Sequence, residues 1–68
     1  MYRIYIKDLG EGKTLELEIN EDNSANIDCK LRGKTVQSVG VQASEGNSAI
    51  SYWFYEMARR FSNDARFA

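Results

Sequence analysis

The sequence contains no histidine, no proline and a single cysteine, Cys29. Without histidine, the side chain that most often serves as general base or metal ligand near neutral pH is missing. One cysteine excludes an internal disulfide and any zinc ribbon, which needs several thiolates. No run approaches the roughly 20 apolar residues of a membrane-spanning helix. The first residues alternate around Arg3 and do not form the apolar stretch of a signal peptide. Charge of one sign is not in excess either: nine bases and ten acids give a net charge of −1, unlike the basic surplus of a dedicated nucleic-acid binder. The 68 residues hold one domain, 1–68, without room for a scaffold plus separate catalytic loops. The expectation is a soluble, cytoplasmic, noncatalytic protein with no cofactor and no metal, and with no nucleic-acid or membrane partner.

What is present is alternation. Tyr2-Arg3-Ile4-Tyr5-Ile6-Lys7 and Thr14-Leu15-Glu16-Leu17-Glu18-Ile19 each read as half-buried strands. The turn Asp8-Leu9-Gly10-Glu11-Gly12-Lys13 joins them. Pairing Ile6 with Leu15, Ile4 with Leu17 and Tyr2 with Ile19 sets Tyr2, Ile4 and Ile6 inward. The same register puts Arg3 opposite Glu18 and Tyr5 opposite Glu16 on the outer face. Ala25 to Arg32 alternates again, with Ala25, Ile27, Cys29 and Leu31 inward. Gly33-Lys34 suits a two-residue hairpin loop. In the fourth strand Val36 is out of phase with Val39 and Val41, which predicts a β-bulge at Gln37-Ser38, with Leu31 facing Val36 and Cys29 facing Val39.

From Asn47 or Ser48, either of which suits an N-cap, Ile50, Phe54, Met57, Ala58 and Phe61 follow helical spacing. Asn63 suits a left-handed helix end, and Phe67 is placed to pin the tail. The predicted fold is therefore α+β: a four-stranded antiparallel meander with one C-terminal helix packed on one face, ββββα.

Among candidate sites, Cys29 reads as a small buried hydrophobe, since no histidine can activate it. Glu16 and Glu18 point the same way, but a flat sheet supplies no cleft for paired-carboxylate catalysis. Gly10-Glu11-Gly12-Lys13 lacks the spacing of a phosphate loop and precedes a strand. Tyr52-Trp53-Phe54-Tyr55 covers about 300° of a helix, so the four cannot all face the sheet; Tyr52 and Tyr55 look elsewhere, either to cover sheet edges and the tail or to form a second contact or homodimer surface. Charge is segregated: residues 8–28 hold seven acids and one base, residues 29–68 six bases and three acids. An acidic patch of this kind complements a basic protein groove. Two competing readings are a nucleic-acid module using Arg3, Tyr5, Lys30 and Arg32, and a homo-oligomer joined at the exposed edges of strands one and four.

Four features together resemble the small phage-encoded anti-CRISPR proteins of the type I-F inhibitor group. They are the tyrosines of the first strand, Ile19-Asn20-Glu21-Asp22-Asn23-Ser24 after the second, Gly33-Lys34-Thr35-Val36, and Trp53-Phe54-Tyr55 on the helix. The resemblance implies a noncatalytic inhibitor acting in the cytoplasm of a bacterial host. It would bind a Cas subunit of a CRISPR surveillance complex and obstruct DNA recognition. In that group, sheet tyrosines and an acidic residue contribute to the contact, and Tyr5 is the best match, ahead of Tyr2. Asn20 stands where the group carries a second aromatic, and the segment after the helix is too short for a long second helix. The expected partner-binding residues are Tyr5, Glu16, Glu18 and Asp28, with Glu21 and Asp22 at the rim.

Overall fold

The computed structural model describes residues 2–67, so residues 1 and 68 of the expected domain lie outside the described residues. Four strands form one antiparallel sheet in the order β1-β2-β3-β4: β1 Arg3–Gly10, β2 Lys13–Ile19, β3 Ala25–Leu31 and β4 Lys34–Val41. A 3-10 turn, Ala43–Glu45, leads into α1, Asn47–Ser62, and a second 3-10 turn, Ala65–Phe67, follows. The architecture is the expected α+β meander with one C-terminal helix.

The core forms where β2 and β3 meet α1. Leu15 and Leu17 from β2, and Ala25, Ile27 and Cys29 from β3, face Ile50, Met57 and Phe61 on the helix stripe, with Val41 closing the β4 side. Each large side chain withdrawn from water there contributes about 1.5–3 kcal/mol. Trp53, Phe54 and Phe67 border this cluster, half-buried. Phe67 sets its ring edge-on to Phe61 at 5.6 Å, holding the tail against the core.

The β1–β2 register differs from the expected one by a single residue. Tyr5 lies opposite Leu17, Lys7 opposite Leu15 and Arg3 opposite Ile19. Such a slip turns every side chain of the strand over. Arg3, Tyr5 and Lys7 therefore point to the helix side, and Tyr2, Ile4 and Ile6 to the open side; Tyr2 is not a core residue. The cause lies at the turn. Glu11 and Gly12, with φ of 57° and 80°, make a two-residue loop that pairs Gly10 with Lys13. Leu9 then bulges out of the ladder between Asp8 and Gly10 and packs against the core edge. Because α1 lies over β2 and β3, burial does not force the apolar side of β1 inward.

The β3–β4 hairpin also shifts. Its loop is Arg32-Gly33, both at positive φ, rather than Gly33-Lys34, so Leu31 pairs with Lys34. The bulge exists, but it falls at Val36, between Thr35 and Gln37. Cys29 therefore faces Gln37, and Val39 faces Ile27. At the helix start, Gly46 with φ of 83° takes the N-cap position and Asn47 is already helical; neither Asn47 nor Ser48 caps. Asn63 ends the helix at φ −103°, not left-handed, and its side-chain amide donates to the Arg59 carbonyl at 3.0 Å.

Candidate functional site

The face of the sheet turned away from α1 is built in rows across the strands. Ile4 stands beside Glu18, Asn26 and Gly40; Ile6 beside Glu16, Asp28 and Ser38; Asp8 beside Thr14, Lys30 and Thr35. An exposed apolar column on β1 thus runs alongside an acidic column on β2. Ile6 is 68% exposed, Ile4 48% and Tyr2 53%. Isoleucines left this open in adjacent positions are uncommon on a sheet face that meets only water.

The polar groups of the face are tied together. The Tyr2 hydroxyl donates to the Glu18 carboxylate, and this bond pushes the Tyr2 phenol pKa above its ordinary value. Lys30 donates to Glu16 at 3.0 Å, and that carboxylate in turn raises the Lys30 pKa. Glu16 and Asp28 stand directly opposite each other, an unfavourable like-charge pair that Lys30 partly offsets. Four carboxylates, Asp8, Glu16, Glu18 and Asp28, share the strand positions of this face with one ammonium, Lys30. The face is therefore acidic, with an apolar margin on β1.

Of the expected contact residues, Glu16, Glu18 and Asp28 are brought together. Tyr5 is not: the register puts it on the helix side, opposite Leu17, where it is 46% exposed. Tyr2, Ile4 and Ile6 take its place on the acidic face. Their strict alternation was visible in the sequence, but as a core signal. Glu21 and Asp22 sit in the β2–β3 turn at the end of the sheet. The Asp22 carboxylate accepts from the Ser24 hydroxyl at 2.6 Å and from its backbone N–H at 2.9 Å, which lowers its pKa. Asp22 thus shapes the turn at the rim. Tyr52 and Tyr55 are exposed on α1 in the opposite layer, with Tyr52 packed edge-on to Trp53 at 5.3 Å. Nor do Arg3, Tyr5 and Lys30 share a face, which divides the set proposed for nucleic acid.

Two other groups have settled chemistry. Cys29 is fully buried, and burial pushes its thiol up to about 11, so it is protonated near neutral pH and a poor nucleophile. Lys13 is only 3% exposed; its ammonium donates to the Phe61 carbonyl at 3.1 Å, at the C-terminal end of α1. Among the described residues, no three or more Cys, Asp or Glu are grouped to hold a metal ion, and no helix is long and apolar enough to cross a membrane.

The fold and this face define a small α+β protein with one sheet face open and the other covered in part by a single helix. No protein-family model, curated protein or solved structure matches the chain.

Proposed function

We propose that this protein is a noncatalytic binding module that docks its open sheet face onto a basic surface of a bacterial protein complex. Following the sequence resemblance, the complex is a type I CRISPR surveillance complex whose recognition of DNA the docked module blocks. The observation that supports this reading is the juxtaposition of Tyr2, Ile4 and Ile6 with Glu16, Glu18 and Asp28 on one face. An apolar margin supplies desolvated contact area, and ionised carboxylates give charge-assisted hydrogen bonds to Lys and Arg. The same acids repel phosphate, which favours a protein partner over a nucleic acid.

The test is DNA binding by a purified type I-F surveillance complex, read by gel shift with and without this protein in excess. Loss of the shifted band with the wild type, and its return with a folded Ile6→Arg/Glu18→Lys variant, is expected. An unaltered shift in the presence of wild type would rule out this target. Inhibition retained by the folded variant would rule out this face.

A further inference from the structure

On the helix side, the space that α1 leaves over β1 is a groove enclosing about 470 Å³, within the roughly 300–1,000 Å³ of small-molecule sites. Leu17 and Ile19 from β2 and Ile50 and Phe54 from α1 give it an apolar floor. Its charged lining is of one sign: Arg3 and Lys7, both turned to this side by the β1 register. No carboxylate is among the described residues that line it. One end is the first turn of the 16-residue helix, at Asn47, where the helix dipole is positive.

We propose that this groove binds a small amphipathic carboxylate, an aliphatic or aryl chain carrying one anionic head. The apolar floor takes the chain out of water. Lys7 supplies the charge for the head group, and Asn23, Asn47 and Ser51 offer polar atoms at the margin. A cation has no counter-charge among the described lining residues, and a neutral chain makes no use of Lys7. The site lies across the sheet from the acidic face and does not depend on what that face binds.

The experiment is titration of the intact protein with decanoate below its micelle-forming concentration, followed by amide NMR. Saturable one-to-one shifts are expected at Ser51, Phe54 and Ala58, with those of Gln37 and Ser38 on β4 unmoved. Lys7→Glu should weaken binding about tenfold, through loss of a charge-assisted contact, and Ser51→Trp should abolish it by filling the groove. Both positions are exposed, so both variants should fold. Decanol should bind at least about tenfold more weakly than decanoate. Phosphatidylglycerol vesicles, which present the same anionic and acyl chemistry as a surface, should not sediment the protein. Absence of saturable shifts in the groove, equal binding of decanol, unchanged binding by Lys7→Glu, or capture by the vesicles would each overturn the proposal.

Discussion

The ammonium of Lys13 reaches the carbonyl oxygen of Phe61 at 3.1 Å, so the first residue of β2 closes the last turn of α1. The same ammonium lies 5.5 Å from the centre of the Phe61 ring. A cation at a helix C-terminus meets the negative end of the dipole, and a buried carbonyl left without a donor is costly.

Replacing Lys13 should therefore separate its stem from its charge. Lys13→Met keeps the packed chain and loses the hydrogen bond, the dipole contact and the ring contact, at about 1–2 kcal/mol. Lys13→Ala also empties the space of the stem and should cost about 2–3 kcal/mol. Urea unfolding of the three proteins measures both differences. Equal stability of wild type and Lys13→Met would show that the ammonium contributes nothing.

The β1 register makes an unusual demand on two isoleucines. Ile6 lies on the open face at 68% exposure, so Ile6→Ser should change stability by no more than about 0.5 kcal/mol. Leu17→Ala and Ile27→Ala, in the core, should each cost about 2–5 kcal/mol. In the register with Ile6 on the helix side, opposite Leu15, the serine variant would give up apolar burial in the groove and cost about 1 kcal/mol or more. Denaturant midpoints for the three decide between the two registers.

That contrast shows why one part of the fold was legible and another was not. On β2, β3 and α1 the apolar periodicity reports burial directly, because Leu15, Ile27 and Phe61 pack against one another's elements. Glu16, Glu18 and Asp28 followed correctly as the opposite face of the same strands. On β1 the alternation of Tyr2, Ile4 and Ile6 is just as regular but reports an exposed surface. Its phase is set by Leu9, which leaves the ladder to reach the core. A bulge changes which side of a strand is buried without changing its pattern. The β4 bulge was visible from the phase slip of Val36, but its place was missed by a residue because Arg32, not Lys34, shares the loop with Gly33. Non-glycine residues enter the left-handed region uncommonly, so a Gly-Lys loop was the simpler reading. Tyr5, and the cationic side of the groove, were hidden by the same one-residue slip.

The tail carries a pH signature. Asp64 is held down to about 2, first by hydrogen bonds from the Arg66 guanidinium, at 2.7 Å from Nη2, and then by the Arg66 backbone N–H at 3.0 Å. A carboxylate with a depressed folded-state pKa contributes stability above its unfolded value, near 3.9, and loses it as the pH falls toward the folded value. The contribution of this pair should therefore be complete above about pH 4 and vanish between there and about pH 2. Carboxyl-carbon NMR of Asp64 should follow the low value in wild type and rise toward the ordinary aspartate range in Arg66→Ala. An Asp64 titration unmoved by Arg66→Ala would place the cause elsewhere.

The two hairpin loops on the same end of the sheet touch, and this separates two glycines of similar conformation. Gly12 and Gly33 have φ of 80° and 85°, so an alanine at either is strained by about 1–2 kcal/mol. A Cβ on Gly33 would meet nothing within 4 Å, whereas one on Gly12 would approach Arg32 Cγ at 3.1 Å. The neighbouring backbone cannot easily yield, because the Arg32 N–H donates to the Gly12 carbonyl at 2.7 Å. Gly12→Ala should therefore destabilise more than Gly33→Ala, by about 0.5–1 kcal/mol. Arg32→Ala removes the Cγ and retains the backbone bond, so in that background the excess should disappear. A double-mutant cycle of Gly12→Ala with Arg32→Ala measures the coupling directly. Additive costs would mean that the left-handed backbone alone, and not the contact between the loops, fixes glycine at position 12.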